Sequence, residues 1–245
     1  MPGAQYDLIG DRYTEVASLP TGALQEASMQ ALVGDITGLA VLDLACGTGS
    51  YTRKAVSKWG ARRAVGVDVS PLTIDIARRR NADDPRVEFH VADCAQPLDV
   101  GQFDIVLSCW LLNYASNDAE MLAMWRNIFS SLKPGGRVVG ISPDLGAIEE
   151  GRALPVGNYY GQGVEVLERL GNGGVRVQTT IYTSEPFSFQ GYFLPREIYN
   201  KGAKLAGMKD VQWVTHPNHE VEGIEEKDVL QWPLFNNFTA CRPLE

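Results

Sequence analysis

Four aspartates and a cysteine share one setting: each ends or closely follows a short apolar run. They are Asp43 after AVL, Asp68 after AVGV, Asp93 after FHVA, Cys109 after DIVLS and Asp144 after VVGISP. Such runs read as buried strands of a parallel sheet, and ligands of these sheets gather at the strands' C-terminal ends. The five residues are therefore expected around one crevice. Asp43 is the most informative, because Gly47 and Gly49 follow it, where backbone can turn sharply or let a ligand approach. Strand, glycine loop and then the helix SYTRKAVSKWG, capped by Ser50, form the opening of a nucleotide-binding βαβ unit. A carboxylate beside that loop repels a pyrophosphate, whereas a ligand with a cationic amine and no phosphate fits. Asp68 lies 19 positions past Gly49, close to the spacing at which an acid reaches ribose hydroxyls.

The elements that must position these residues alternate along the chain. Leu24, Ala27, Ala31 and Leu32 recur at helical spacing ahead of the first strand. Ser70 and Pro71 mark the N-cap and first residue of the helix PLTIDIARRR. Asn117 starts a helix whose Leu122, Trp125, Ile128, Phe129 and Leu132 form an apolar stripe. Pro134-Gly135-Gly136 reads as a turn before a fifth strand, Arg137 to Ser142. Glycines then interrupt residues 143–194, while VRVQTTIYT and FSFQGYF alternate, which predicts an antiparallel insertion over the acceptor side. Its aromatics, Tyr159 and Tyr182 among them, are candidate pocket walls. Pro195 opens the helix REIYNKGAKLA, which Gly207 closes. Val211, Trp213 and Val214 suggest a sixth strand and Phe238 to Arg242 a last one. His216 and the run Gln231 to Asn237, with Trp232 and Phe235, fall in a long loop between them. The expected fold is α/β: a doubly wound, mostly parallel, seven-stranded Rossmann-like sheet with an N-terminal helical lid. Its parts are the lid (1–35), a cofactor-binding core (40–142), a substrate-cap insertion (143–194) and a completing segment (195–245).

The string DLACGTG resembles the first motif of class I S-adenosylmethionine-dependent methyltransferases, and the resemblance continues through FDIVLSCWLLNYA and SLKPGGRVVGI. Where this chain has Ala45 that family usually has glycine, so a methyl group narrows the pocket there. The resemblance implies S-adenosylmethionine as cofactor, with S-adenosylhomocysteine as product. It implies Asp43 at the ammonium, Asp68 with Val69 at the ribose, and Asp93 with Cys94 at the adenine. Ala45, Cys46, Gly47, Gly49, Cys109 and Trp110 would line the same pocket. Tyr6 and Tyr13, within YDLIGDRY, look like the lid of small-molecule methyltransferases. Trp110, Asn113 and Tyr114 leave the fourth strand where the family faces both cofactor and acceptor. From YDLIGDRY to LQWPLFNNFTACRPL the arrangement is similar to the toxoflavin-biosynthesis type, within the small-molecule, natural-product branch of secondary metabolism. N- or O-methylation of a small planar aromatic or heterocyclic metabolite is the implied activity. A base is needed only if the acceptor atom carries a proton. His216 and Asp144 follow strands at the active edge and are the candidates.

With 22 Lys and Arg against 30 Asp and Glu, the net charge of −8 disfavours nonspecific contact with nucleic acid or anionic membrane. No basic leader followed by an apolar core opens the chain and no apolar run approaches ~20 residues, so a cytoplasmic protein is expected. Cys46, Cys94, Cys109 and Cys241 have no metal-ligand spacing; reduced thiols and no metal are expected. Two other activities share parts of this pattern. A nicotinamide oxidoreductase would have the βαβ unit but favour glycine where Thr52 stands. A protein that binds S-adenosylmethionine without transferring methyl would keep every cofactor residue.

Overall fold

The computed structural model describes residues 2–143, 145, 158–214, 224 and 235–245. Five parallel strands, β1 (Ala40–Leu44), β2 (Arg63–Asp68), β3 (Val87–Val91), β4 (Phe103–Cys109) and β5 (Leu132–Pro143), form most of one sheet. Two later strands, β9 (Lys209–Val214) and β10 (Phe235–Cys241), complete it in the order β3-β2-β1-β4-β5-β10-β9, with β10 antiparallel to both neighbours. Every residue of β1 is buried, as a strand covered on both faces requires. This is the expected mostly parallel, seven-stranded, doubly wound sheet.

Helices cover it on both sides. α1 (Pro2–Ile9), a 3-10 segment (Gly10–Ser18) and α2 (Pro20–Val33) precede the sheet; α3 (Ser50–Ser57) follows β1 and α4 (Pro71–Arg80) follows β2. α5 (Asp118–Ser131) follows β4, and α6 (Arg196–Ala206) precedes β9. One core cluster joins Trp125 and Ile128 of α5 and Tyr199 and Ala203 of α6 to Leu42, Val106 and Phe238. The other joins Leu24 and Met29 of α2 and Ala55 and Val56 of α3 to Val41, Leu107 and Ile141. Helix starts follow from side-chain chemistry. Ser70 Oγ accepts from Thr73 N at 3.2 Å, and Asn117 Oδ1 accepts from Ala119 N at 3.0 Å and Glu120 N at 3.1 Å. α3 differs from expectation: its N-cap is Gly49, left-handed at φ +80, and Ser50 is the first helical residue. A side-chain carbon at Gly49 would meet the Phe89 ring at 2.7 Å, so both conformation and space demand glycine.

The insertion is a three-stranded antiparallel sheet, β6 (Gln162–Arg169), β7 (Val175–Ile181) and β8 (Phe187–Phe193). β6 was not foreseen, because Gly161 and Gly163 mask the alternation of QGVEVLER. Two further boundaries shift. Pro134-Gly135-Gly136 is not a free turn but lies within β5, where the register against β4 slips between Phe103 and Ile105. Phe235, Asn236 and Asn237, expected in a loop, open β10 and pair with Pro143, Ser142 and Ile141. Among the described residues no helix is long and apolar enough to cross a membrane.

Gly140 shows how tightly the centre is packed. It pairs with Ser108 of β4 and Phe238 of β10. A side-chain carbon there would press on the Phe238 ring and lie 2.5 Å from the Ser108 carbonyl oxygen. The backbone oxygen cannot move aside, so Gly140→Ala should cost about 2–3 kcal/mol by overpacking, read from urea denaturation midpoints.

Candidate active site

At the C-terminal ends of β1, β2 and β4 the sheet opens into a cavity of about 1070 Å³. It sits where strand order reverses between β1 and β4, the usual ligand position in open α/β sheets. Its wall includes all of Tyr6, Tyr13, Asp43, Ala45, Cys46, Gly47, Gly49, Asp68, Val69, Asp93, Cys94, Cys109 and Trp110. Strand ends far apart in sequence, together with the N-terminal segment, thus bring these residues together.

Asp43 is only 1% exposed, and its Oδ2 accepts from Thr52 Oγ1 at 2.7 Å. Thr52 occupies the place of the third glycine in a dinucleotide fingerprint; the structure puts its hydroxyl to work on the carboxylate instead. Burial pushes the Asp43 carboxyl up to about 7, against the opposing pull of Thr52, with the neighbouring Asp68 adding a little. Among the described residues no ion pair neutralises it. Asp68 is held by three donors: Gly47 N to Oδ2 at 2.9 Å, Ser70 N to Oδ1 at 2.9 Å and Thr73 Oγ1 to Oδ1 at 3.3 Å. Burial raises its pKa as well, and those hydrogen bonds restrain the rise. Asp93 is exposed at the rim, where its Oδ1 accepts from Ala95 N at 2.8 Å.

The glycine-to-alanine departure has a definite cost. Ala45 adopts φ +58 and Trp110 adopts φ +62. Left-handed backbone at a non-glycine residue stores on the order of 1–2 kcal/mol. Trp110 is held on several sides: its N–H donates to Ile141 O at 3.0 Å, its ring meets Phe235 edge-on at 5.9 Å, and its indole N–H donates to Gln25 Oε1 at 3.0 Å.

The N-terminal segment contributes part of the wall. Tyr6 and Tyr13 meet edge-on at 5.6 Å, and the Tyr6 hydroxyl bonds that of Tyr114. Burial raises the pKa of both Tyr6 and Tyr13, the latter to about 12, so each stays a neutral hydroxyl. Tyr114 lines the cavity beside Leu111. The remaining candidates lie elsewhere. Asn113 is buried behind the wall, where a side-chain carbon at Gly191 would lie 3.2 Å from its Nδ2. Tyr159 packs on Tyr160 at 4.8 Å, and Tyr182 donates its N–H to Gly161 O at 2.9 Å; both sit at the base of the insertion, outside the wall. Phe235 is fully buried beneath Trp110. Asp144, His216 and Trp232 lie outside the described residues. Gln25 and Tyr51 line the wall without belonging to any sequence motif, and Thr52, outside the wall, holds Asp43 from behind it. Only the placing of Thr52 in the glycine fingerprint carried a signal.

Residues 41–136 match the methyltransferase domain family. A demethylmenaquinone methyltransferase of Lactococcus lactis subsp. lactis (strain IL1403) is 33% identical over 135 residues, 54% of this chain and 52% of that protein. A magnesium-protoporphyrin O-methyltransferase of Rhodobacter capsulatus is 41% identical over 93 residues, 37% of this chain and 40% of that protein. The chain therefore spans about half the length of the curated relatives it matches. A solved S-adenosylmethionine-dependent methyltransferase from Clostridium acetobutylicum ATCC 824 superposes with a TM-score of 0.62 at 16% identity, covering 83% of this chain and 84% of that one. The DhpI–SAH complex does so with a TM-score of 0.62 at 20% identity, covering 100% and 96%. These likenesses show a class I methyltransferase fold.

The buried carboxylates make a pH prediction independent of any ligand. An unfolded aspartate titrates near ~3.9, so between there and about 7 the folded protein binds the extra proton at Asp43. Stability must then fall as pH rises through this window. Between pH 5 and pH 7.5 the Asp43 contribution is roughly 2–3 kcal/mol. Asp43→Asn should flatten the decline, read as urea midpoints at the two pH values; an unaltered slope would assign the decline elsewhere.

Proposed function

We infer that this chain, whose residues 41–136 form a methyltransferase domain on the class I fold, is an S-adenosylmethionine-dependent methyltransferase acting on a small molecule. The observation that carries this reading is Asp43, a buried carboxylate that makes no ion pair among the described residues, at the head of a glycine loop. An ammonium group satisfies such a site and a pyrophosphate does not. The other residues fit the same cofactor. Asp68 keeps room on Oδ2 for a ribose hydroxyl, Asp93 at the rim can accept from the adenine amine, and Cys94 and Cys109 supply apolar wall. Bound there, the cofactor supplies a methyl group already activated by the positive sulfur.

The chain's own task is then positioning and water exclusion. Tyr6 and Tyr13 cover the cavity from the N-terminal segment, and Trp110 and Tyr114 border it from the end of β4. These flat walls support a planar aromatic or heterocyclic acceptor, methylated on nitrogen or oxygen. Relatives named for demethylmenaquinone and magnesium-protoporphyrin support a small-molecule acceptor, as does a net charge of −8, which opposes a nucleic-acid substrate. The end motifs YDLIGDRY and LQWPLFNNFTACRPL favour the toxoflavin-biosynthesis type within the natural-product branch. Where the acceptor atom carries a proton, His216 or Asp144 is proposed to take it. An inflection in kcat/KM near pH ~6.5 that vanishes in His216→Gln would assign the histidine.

Calorimetric titration with S-adenosylmethionine, followed by methyl release from labelled cofactor into a metabolite extract, tests the whole reading. Absence of binding overturns it, and binding without transfer reduces it to a cofactor-binding protein. Within it, Asp68→Ala should weaken cofactor binding by about 1.5–3 kcal/mol, the scale of a lost charge-assisted hydrogen bond.

A further inference from the structure

Gln25 belongs to no motif. It stands in the second turn of α2, is 8% exposed, and lines the cavity. The one hydrogen bond of its side chain among the described residues is with Trp110, whose indole Nε1 donates to Gln25 Oε1 at 3.0 Å. An indole N–H can only donate. That fixes the orientation of the glutamine amide, which would otherwise be ambiguous between its oxygen and nitrogen. The oxygen must face Trp110, and the NH2 group is turned away from it. Nε2 has no hydrogen-bond partner among the described residues, yet it is not sealed away from the cavity that the side chain borders.

The frame that holds this amide is rigid. Four residues on from Gln25, Met29 is fully buried, and its sulfur is 3.8 Å from the Cys109 thiol. One face of α2 therefore touches consecutive residues at the end of β4, Cys109 through Met29 and Trp110 through Gln25. Trp110 itself is pinned in left-handed backbone, with its N–H on Ile141 and its ring against Phe235. Turning the amide round would set two donors face to face and break the indole hydrogen bond. A nine-tenths buried amide, oriented by a donor-only partner and left with two free N–H groups, is a preformed donor for a lone pair.

We propose that Gln25 is the polar recognition group for the methyl acceptor, donating to a carbonyl oxygen carried by the planar ring system beside Trp110. This rests on the methyltransferase reading and adds the acceptor chemistry to it. A ring oxygen that accepts from Nε2 would stack its ring along the Trp110–Tyr114 side of the cavity. An apolar ring of the same shape would leave both donors buried and unpaired, so the site discriminates on that oxygen.

The experiment uses two variants and two probes with protein saturated in S-adenosylhomocysteine. Gln25→Glu keeps an oxygen for the Trp110 indole but replaces the donors with lone pairs. Gln25→Met removes both. The probes are 4-quinolone, a planar bicycle with a carbonyl, and naphthalene, its hydrocarbon counterpart, titrated by NMR. Wild type should bind the quinolone at least ~10-fold more tightly than naphthalene, the discrimination of about one good buried hydrogen bond. In Gln25→Glu this ratio should fall to about one, while the Trp110 indole N–H resonance and the affinity for S-adenosylhomocysteine stay within about twofold of wild type. Gln25→Met should lose the ratio and also shift that resonance, separating recognition from the holding of Trp110. An unchanged ratio in Gln25→Glu overturns the proposal, as does a wild type that binds S-adenosylhomocysteine without preferring the quinolone. An equal fall in S-adenosylhomocysteine affinity would assign the amide to the cofactor and overturn it too. Failure of wild type to bind S-adenosylhomocysteine would instead strike the methyltransferase reading itself, and this inference with it.

Discussion

A carboxylate with almost no access to water is an expensive thing to keep, and Asp43 is one. It lies one residue from the end of β1, next to the point where sheet order reverses, so neither neighbouring strand can be moved without disturbing it. The surrounding sequence compensates piece by piece. Thr52 supplies a hydroxyl from α3, the loop turns through Gly49 so that α3 can begin at once, and Asp68 fixes the Gly47 amide from the next strand. What the protein does not supply, among the described residues, is an ion pair to Asp43: Lys54 and Lys58, which also line the cavity, are paired with Glu26. The loop is thus incomplete in one specific respect, and that gap defines the ligand better than the glycines do. Glycine loops elsewhere cradle phosphates through backbone N–H groups and the helix N-terminus, and a carboxylate behind this loop opposes that use.

The cover over this site is built from two parts of the chain that are far apart in sequence. Gln5 pairs with the exposed edge of β8: its Nε2 donates to Gln190 O at 3.1 Å and its Oε1 accepts from Gln190 N at 2.9 Å. A side-chain amide here does the work of one more strand residue and also blunts an open sheet edge. Ile9, Ile181 and Phe187 then form a small apolar cluster of their own, with Tyr6, Tyr13 and Phe189 packed against it. The N-terminal segment and one end of the antiparallel sheet therefore share a cluster of their own, while the other end of that sheet packs through Leu170, Tyr192 and Leu194 on the main core. The Tyr6–Tyr114 contact and the bond from Ser70 Oγ to Asp7 Oδ1, 2.5 Å long, tie the N-terminal segment to the cofactor side.

Residues 40–142 were the legible part, because each element there announces itself locally. Apolar runs end in acids, Ser70-Pro71 starts a helix, and Asn117 caps the next. The Asp43–Asp68–Asp93–Cys109 convergence followed from strand ends alone. What stayed hidden depends on distant partners. Nothing in QGVEVLER says strand until β7 pairs with it, since its glycines read as breaks. Phe235 to Asn237 look like loop because two asparagines interrupt the run, yet β5 supplies a full ladder for them. Gln25 was unreadable for the same reason: a glutamine in a helix reveals its role only when a tryptophan from the end of a distant strand donates to it.

The two strained residues explain why the site could not be made simply from standard turns. Ala45 and Trp110 leave adjacent strands, β1 and β4, and both take left-handed backbone. The chain turns away from the sheet at the same level on each side of the reversal point, which leaves the ends of both strands facing the cavity. Glycine at position 45 would relieve the local strain, but the alanine side chain packs against the cluster that contains Leu44, Cys94 and Leu111. Glycine at position 110 would forfeit the ring on Phe235 and the bond to Gln25. In each case a side chain's contacts offset about 1–2 kcal/mol of backbone cost. Strain of this kind persists only where the surroundings over-determine it. Here the surroundings are the same helices and strands that hold Asp43 out of water, so the shape of the cavity at Trp110 and its chemistry at Asp43 are set by one frame.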